Sequence, residues 1–373
     1  MTSAGSTTET GISKSLKHAS RSPARAYMRA LIIKIAAIGD TIMALPMVGA
    51  LRRHHPTADI TWICRDSLAD LVRLACEIEI IPVNERRLFD GSVAEKVSEI
   101  IKVWSKLRRR HFDLVAIGHT RLLLKALTLT ASVGQQRSFH PNRSKKRVWA
   151  VPGRYHGDEY VRLITGIDGP DAEKAELPTV KLPLPHSLLS RLGGSTANLV
   201  VLAPGGPNNP ILEQSVRLWP LQHYRQLAAE LLKRGFQVAI TGADDWVRSA
   251  FADLPVIDLV SKTSLTELLA LFGTCALVVT DDSGPLHVAQ LAGARTLALF
   301  GPTNPAEFVR DPTRVRVIWG GADLVCRPCY DKRHFAPCGD NRCMKEVTVQ
   351  ETVRAVEEMM ATLNGFRTTA VTP

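Results

Sequence analysis

Short apolar runs alternate with longer amphipathic stretches through the first 120 residues. The runs have the length of buried strands, and the stretches place apolar residues three or four positions apart, as helices do. Strands that alternate with helices predict a parallel sheet with crossover connections. The predicted strands are 31–36, 59–64, 79–83 and 113–118, and the predicted helices are 41–55, 67–76 and 92–110.

Two of these helices carry more detailed expectations. Pro46 should break or kink the helix at 41–55 unless it lies in a first turn. The helix at 92–110 is predicted from apolar residues that share one face. They are Val93, Val97, Ile100, Ile101, Trp104 and Leu107.

The alternation stops and then restarts. Residues 135–158 are basic and rich in turn formers, a helix is predicted at 156–167, and the Pro-, Gly- and Ser-rich stretch 168–197 predicts an interdomain linker. Further strands are predicted at 198–204, 237–242, 276–282 and 295–301, and further helices at 221–235, 264–275, 285–293 and 349–363. The pattern predicts an α/β fold with two Rossmann-like parallel-sheet domains facing each other across a cleft.

The expected domain boundaries follow from this pattern and from composition. They give a leader at 1–27, an amino-terminal domain at 28–185, a carboxy-terminal domain at 195–345, and a terminal helix with its tail at 346–373. The leader is polar and basic and lacks the apolar middle of a secretory signal, so we expect it to be disordered and the protein to be cytoplasmic. The net charge of +11 favours phosphate-bearing partners, which include nucleic acids, anionic lipids and nucleotides.

Glycine, aspartate and threonine follow several predicted strands. Ligands of parallel α/β sheets bind beyond the carboxyl ends of the strands, so these positions are candidate site residues. They are Gly39 and Asp40 in the first domain, and 204–206, 241–245, 281–284 and 301–305, which includes Thr303, in the second.

The second set suits a nucleoside diphosphate. Gly205 and Gly206 allow backbone amides to approach an anion, and a helix start at 283–284 offers free N–H groups. Arg217 can bind phosphate oxygens with two donors, and Asp244 can hold ribose hydroxyls. No full G-x-G-x-x-G motif occurs, which disfavours a hydride-transfer enzyme. Asp and Gly also form caps and turns, so each single position has a structural alternative.

Six motifs together resemble glycosyltransferase family 9, the lipopolysaccharide heptosyltransferases. They are IIKIAAIGDTIMALP, APGG followed by VRLWP, TGADD, SKTSLTEL, TDDSGPLHVAQLAG and FGPTNP, in the family's order over residues 30–305. The resemblance implies a GT-B fold with an acceptor domain followed by a nucleotide-sugar domain. It also implies an inverting transfer of a heptose or related sugar from an ADP-sugar to a hydroxyl of the lipopolysaccharide core or a similar glycan.

The resemblance further implies roles for individual residues. Asp40 matches the proposed catalytic base. Arg217 stands where many members have a lysine that contacts the donor phosphates. Asp244 matches the acid that holds the ribose. Thr263 lies in the segment that lines the nucleobase of the donor. The motif beside the diphosphate and sugar corresponds to Asp282, Ser283, Gly284 and His287.

Metal-independent transfer is chemically reasonable with these groups. Arg217, the glycine amides and a helix start can stabilise the departing diphosphate, so no cofactor is required. An ordinary Asp has a pKa of about 3.9, so Asp40 suffices as the base if proton transfer is late or if cleft closure desolvates it. The structural alternatives are a helix N-cap for Asp40, a packed histidine for His287 and a structural role for Lys34.

A basic cluster occurs in the turn-rich stretch 135–158 of the predicted amino-terminal domain. It comprises Arg137, Arg143, Lys145, Lys146 and Arg147. The cluster is either a solvated loop or a contact for an acidic glycolipid acceptor and the inner face of the cytoplasmic membrane, which raised salt would weaken.

Four cysteines lie close together near the carboxyl end. Cys326, Cys329, Cys338 and Cys343 form C-x2-C, eight residues, then C-x4-C. Four thiolates suit a structural zinc or iron ion, while free thiols and disulfides are the alternatives. Four cysteines leave no open position, which disfavours a catalytic metal.

Two other functions remain open from the residues. A sugar-nucleotide epimerase shares the two-domain architecture but lacks the amino-terminal G-D-T motif. A nucleic-acid-binding protein with a four-cysteine finger would use the basic surface, but it leaves both sets of strand exits unexplained. We therefore expect a nucleotide sugar, with ADP-heptose favoured, and no nucleic acid as a partner.

Overall fold

The computed structural model describes residues 28–121, 123–139, 151–168, 172–205, 208–209, 212–213, 215–330 and 335–369. Two parallel sheets organise this part of the chain, one of five strands and one of six. The prediction of two Rossmann-like parallel-sheet domains is confirmed.

The amino-terminal domain has strand order β3-β2-β1-β4-β5, and all its pairings are parallel. Its strands are β1 (Arg29–Ile33), β2 (Asp59–Arg65), β3 (Glu79–Val83), β4 (His111–Ile117) and β5 (Ser132–Ser138). Its helices are α1 (Ile38–Ala44), α2 (Pro46–His54), α3 (Ala69–Cys76), α4 (Glu85–Phe89), α5 (Val93–Leu107), α6 (Leu123–Ala126) and α7 (His156–Thr165). The helix α8 (His186–Arg191) follows in the connection to the second domain.

The carboxy-terminal sheet has the order β10-β9-β6-β11-β12-β13 and is also parallel. Its strands are β6 (Leu199–Ala203), β9 (Gln237–Ile240), β10 (Ile257–Asp258), β11 (Leu277–Asp281), β12 (Thr296–Phe300) and β13 (Val315–Trp319), with a small hairpin of β7 (Asn208–Asn209) and β8 (Leu212–Glu213) beside it. Its helices are α9 (Leu221–Lys233), α10 (Asp245–Ser249), α11 (Leu265–Thr274), α12 (Gly284–Leu291), α13 (Arg342–Lys345) and α14 (Val349–Thr369).

Each sheet changes direction of winding at one pair of neighbouring strands. These switch points lie between β1 and β4 in the first sheet and between β6 and β11 in the second. Crossover helices leave such a pair on opposite faces, which opens a crevice at the carboxyl ends of the strands. Ligand sites are therefore expected after β1 and β4 in one domain and after β6 and β11 in the other.

Proline shapes the first crossover. The stretch predicted as one helix at 41–55 divides at Leu45, and Pro46 begins α2. The first helical position tolerates proline because its N–H has no partner within the helix. Helix α1 is therefore short, and its seven residues stay beside the strand exit.

The expectation for α5 is only partly met. The helix forms, but its buried residues are Glu99, Val103 and Leu107, while Val93, Val97 and Ile101 are exposed. The carboxylate of Glu99 accepts a hydrogen bond from the Asn84 backbone amide, which helps to satisfy this acidic side chain in its buried position. Ile100 and Leu107 of the predicted stripe pack on the domain, whereas Val93, Val97 and Ile101 point away from it.

The stretch 135–158, predicted to be turn-rich, includes the end of β5, which pairs with β4 through residue 138. No helix in the described part of the chain has both the length and the apolar character needed to cross a membrane.

Two substitutions test which face of α5 is packed. Val103→Ala removes fully buried methyl groups and should lower the free energy of unfolding by about 2 kcal/mol. Val97→Ala is the matched control at a position that is 47% exposed, and it should change the free energy by less than about 0.5 kcal/mol. Urea unfolding of both variants measures the difference, and a larger loss in Val97→Ala would contradict the packing described here.

Candidate active site

A cleft of about 760 Å³ lies between the two domains, where the carboxyl ends of both sheets meet. The first domain contributes Gly39 and Asp40 to its wall. The second domain contributes Arg217, Asp244, Thr263, Ser283, Gly284, His287 and Thr303. Residues predicted separately from the two halves of the sequence thus line one continuous cavity.

Asp40 lies in the first turn of α1 and faces the cleft. Ala37 occupies the cap position, so Asp40 is not the helix N-cap considered above. Its Oδ1 lies 3.5 Å from the Lys34 Nζ and accepts a hydrogen bond of 3.0 Å from the Tyr160 hydroxyl. Two donors from different elements therefore fix the direction of this carboxylate.

The electrostatics around Asp40 keep it ionised. Its side chain is 40% exposed to the cleft, yet it lies deep between the domains, and desolvation alone would raise its pKa. The ammonium of Lys34, with His156, His119 and the Tyr160 hydroxyl, outweighs that effect and lowers the pKa of Asp40 below its usual value. The group is consequently a carboxylate at neutral pH.

Lys34 is the central neighbour of Asp40. It follows the end of β1, is 3% exposed, and also donates to the Gly118 carbonyl after β4 at 3.3 Å. Burial lowers its pKa, and the attraction of Asp40 partly offsets that effect. Its Nζ also lies 4.8 Å from the Tyr160 ring centroid. Lys34 thus connects both strands of the switch point to Asp40.

Sequence reasoning missed most of this environment. Lys34 interrupts an apolar run, which is a visible signal, but the sequence favours a structural role over a side chain that reaches towards the cleft. His119 follows β4, where burial and the charge of Lys34 hold its pKa well below the usual value, and its Nε2 accepts from the Ile35 amide at 3.1 Å. Tyr160 and His156 come from α7, and no local pattern connects them with Asp40.

The two domains touch most closely at α1 and α12. A Cβ atom on Gly39 would lie 2.5 Å from the His287 ring, and one on Gly284 would lie 2.8 Å from the Ile38 side chain. These two glycines therefore allow the helix starts to pack directly. His287 is buried in this contact, which lowers its pKa, and the imidazole is neutral at pH 7 while still lining the cleft.

Arg217 is held at the exit of β11. Its Nη1 donates to the Asp282 Oδ2 at 3.1 Å, and the same oxygen accepts from the Thr303 hydroxyl at 2.7 Å. Thr303 is buried, so its hydroxyl serves Asp282 rather than an open surface. The Nε of Arg217 has no hydrogen-bond partner among the residues described. Because this Nε is buried, a ligand in the cleft would be bound by the other N–H groups of the guanidinium, whose residue lines the cleft.

The backbone amide of Gly205 does not serve as the expected donor to an anionic ligand. Its amide donates to the Asp281 Oδ2 at 3.3 Å instead of facing a ligand, and a Cβ there would lie 2.5 Å from the Asp281 Oδ1. Glycine is required because the loop after β6 passes this close to Asp281. Burial raises the pKa of Asp281 to about 6.

Other predicted donor-site residues remain available to a ligand. Asp244 stands at the N-cap of α10, yet its side chain makes no capping hydrogen bond in the described structure. Ser283 stands at the N-cap of α12 and makes no capping bond there, but its hydroxyl donates to the Asp281 carbonyl at 3.5 Å. Both residues line the cleft with Thr263, so the cap alternative does not account for them.

Several predicted residues lie elsewhere. Gly206, Arg143, Lys145, Lys146 and Arg147 are outside the described residues. Arg137 has a structural role that corrects its assignment to an anionic-ligand surface: its guanidinium donates to the Leu163 carbonyl at 3.2 Å and to the Ile164 carbonyl. Both carbonyls belong to the last turn of α7, which carries a partial negative charge.

The four cysteines do not form a metal centre in this structure. In the part of the chain that is described, no three His, Cys, Asp or Glu side chains are arranged to hold a metal ion. Cys343 is buried, and Cys326 and Cys338 are exposed. Burial, together with the charges of the other three thiols, raises the pKa of Cys343. The Asn341 amide donates to the Cys338 Sγ at 3.2 Å.

The raised pKa of Asp281 predicts a pH dependence of stability. The folded protein binds this proton more tightly than the unfolded chain, so Asp281 destabilises the fold progressively as pH rises from about 4 to about 6. Above that window the effect is on the order of 3 kcal/mol. Asp281→Asn should therefore melt a few degrees above wild type at pH 7.5, with the difference vanishing near pH 4.

Thermal unfolding at a series of pH values measures this difference. Asp245→Asn is the surface control, because the Asp245 side chain is 77% exposed. If the melting temperatures of wild type and Asp281→Asn change in parallel with pH, the pKa of Asp281 is not raised as predicted.

Comparison with known proteins agrees with this geometry. The family model for glycosyltransferase family 9 (heptosyltransferase) matches residues 201–338. Lipooligosaccharide heptosyltransferase 2 of Haemophilus influenzae is 32% identical over 370 residues, which cover 90% of this chain and all of that protein. A family 9 glycosyltransferase of Veillonella parvula superposes with a TM-score of 0.70 at 17% identity, covering 90% of this chain and 98% of the other.

The fold is also that of E. coli ADP-heptose LPS heptosyltransferase II, with a TM-score of 0.65 at 19% identity over 90% of this chain and all of that one. The GT-B architecture predicted from the sequence is confirmed by these neighbours. The relation to the Haemophilus protein extends over nearly the whole chain, and both switch points meet at one cleft, so the chain belongs to glycosyltransferase family 9.

Proposed function

We propose that this glycosyltransferase moves a heptose from ADP-heptose to a hydroxyl of the lipopolysaccharide core, with inversion at the anomeric carbon. The observation that supports it most directly is the ionised Asp40 facing Arg217 and the start of α12 within one cleft. A base and an anion-binding group on opposite walls suit a displacement at a sugar carbon between them. Family membership favours this function over the epimerase and nucleic-acid-binding alternatives.

The donor is proposed to lie across the second sheet. Asp244 and Thr263 follow β9 and β10, and Asp244 has the acceptor oxygens that ribose hydroxyls require. The diphosphate is proposed to lie at the switch point between β6 and β11, where α12 begins and its amides and dipole favour an anion. Arg217 adds a positive charge that is already oriented by Asp282.

Asp40 is proposed to accept the proton of the attacking hydroxyl. Its lowered pKa makes it a weak base, so the proton moves late, after the new sugar–oxygen bond has largely formed. Lys34 and Tyr160 hold the carboxylate in place and are proposed as positioning residues. Attack from the Asp40 side, opposite the diphosphate, inverts the configuration of the transferred sugar.

Asp40→Asn tests the base. It keeps the shape of the side chain but removes its basicity, so kcat should fall by roughly 10²- to 10⁴-fold. ADP-heptose should still raise the melting temperature, because the donor groups are on the other wall. Asp70→Asn, whose side chain is 84% exposed on α3 and lies outside the cleft wall, should leave kcat unchanged. Full turnover by an Asp40→Asn variant that binds the donor would exclude the base role.

We further propose that the four-cysteine segment holds a structural zinc or iron ion. The support is the C-x2-C and C-x4-C spacing, together with the amide that donates to the Cys338 sulfur, an arrangement that stabilises a thiolate. The thiols would have to move closer together than they stand in this structure. No step of the transfer depends on this ion.

Elemental analysis of freshly purified protein tests the metal proposal. We expect about one zinc or iron ion per chain, and none in a variant with serine at all four positions. Metal-free wild-type protein whose four clustered thiols all react in a thiol titration would contradict it.

A further inference from the structure

The four-cysteine segment brings two aromatic residues back to the cleft. The Cys329 amide donates to the Pro302 carbonyl at 2.9 Å, which anchors the segment at the exit of β12. Tyr330 and Phe335 then pair across an antiparallel bridge, and the Ala336 amide donates to the Cys329 carbonyl at 3.4 Å. These contacts fix the backbone positions of Tyr330 and Phe335.

The two rings are stacked. Their centroids are 4.8 Å apart and their planes differ by 29°, so each ring covers one face of the other and presents only its outer face and its edge. Both side chains are half-buried, and both line the cleft. Aromatic surface that remains open in a polar cleft is costly to hydrate, and in ligand pockets it commonly packs on the ligand.

The aromatic pair lines the same cleft as the two groups assigned to the chemistry. The Arg217 guanidinium is 5.8 Å from the Phe335 ring centroid. On the other side, Tyr330 lines the same cleft as Asp40, whose carboxylate binds the Tyr160 hydroxyl. The aromatic pair therefore shares the cleft wall with the proposed phosphate-binding group and the proposed base.

The strand order separates this surface from the nucleoside. Asp244 and Thr263 follow β9 and β10 on one side of the switch point, whereas the aromatic pair follows β13, at the opposite edge of the sheet. A donor whose diphosphate lies at the β6–β11 switch point and whose ribose lies on Asp244 directs its sugar away from β9. The proposed base and phosphate roles use neither aromatic ring.

We propose that Tyr330 and Phe335 form a platform that packs against the apolar C–H face of the donor's sugar ring and thereby selects the nucleotide sugar over the free nucleotide. The inference rests on the proposed function, since it takes the donor to be an ADP-sugar. A pyranose ring presents C–H groups on its faces and hydroxyls at its rim, so one face can contact the rings while the rim stays hydrogen-bonded.

Equilibrium binding of ADP-heptose and of ADP to wild type and Tyr330→Ala tests the platform. The loss of one packed aromatic contact should weaken ADP-heptose binding about tenfold, while ADP binding should change less than twofold. Phe335→Ala removes the ring that stacks on Tyr330 and should also weaken ADP-heptose binding, and any change in ADP binding reports its contact with Arg217. Tyr330→Phe retains the ring and should restore most of the ADP-heptose affinity. Equal melting temperatures would confirm that the variants are folded.

Phe89→Ala is the matched control. Phe89 is also a half-buried aromatic residue with an arginine over its ring, Arg121 at 4.4 Å, but it lies outside the cleft wall. Phe89→Ala should change neither the affinity for ADP-heptose nor the affinity for ADP. If Tyr330→Ala weakens both ligands equally, weakens neither, or changes only the KM of the acceptor, the platform is wrong. If wild type fails to bind ADP-heptose at all, the proposed function itself fails.

Discussion

The contact between the starts of α1 and α12 is the constraint on which the site depends. Each helix begins beside the switch point of its own sheet, and at this contact a glycine faces a side chain of the other domain: Gly39 meets His287, and Gly284 meets Ile38. Because no Cβ separates them, the two strand-exit regions approach within reach of a single sugar. A methyl group at either glycine would overlap the opposing side chain and force the domains apart, and Asp40 would then be separated from the donor wall.

Charges in this cleft are paired before a substrate arrives. Asp40 is bound by Lys34 and Tyr160, and Arg217 is bound by Asp282, which Thr303 also contacts. Pairing weakens the electric field of each charged side chain but fixes the orientation of that side chain. These side chains therefore need to move little when charge develops on the substrates during transfer. Asp281 and Asp282 each have one carboxylate oxygen without a hydrogen-bond partner among the described residues, and burial raises the pKa of Asp281.

Sequence patterns predicted the two sheets and most of the strand exits, because both depend on local periodicity and on where glycine and aspartate interrupt it. They failed where long-range packing decides. The apolar stripe of α5 is visible in the sequence. The orientation of the helix about its axis, which places Glu99 inside, is accompanied by a hydrogen bond from the Asn84 backbone amide to the Glu99 carboxylate. Tyr160 reaches Asp40 across 120 residues, and only the folded chain brings α7 beside α1. Arg137 looked like surface charge because its partners, the last carbonyls of α7, are backbone atoms with no sequence signature.

The cysteine segment shows how one motif can carry two functions at different levels. Its spacing drew attention to a metal ion, whereas its position in the fold draws attention to Tyr330 and Phe335. The segment is tied to the sheet by the Cys329 amide at Pro302 and by Cys343, which packs closely beneath Gly301 and Gly320. These contacts do not involve a metal ion, so the aromatic pair is placed by the strand exit of β12 itself. Because the four thiols would have to move closer together to bind an ion, metal binding would also shift Tyr330, which directly follows Cys329, so the two proposals are coupled.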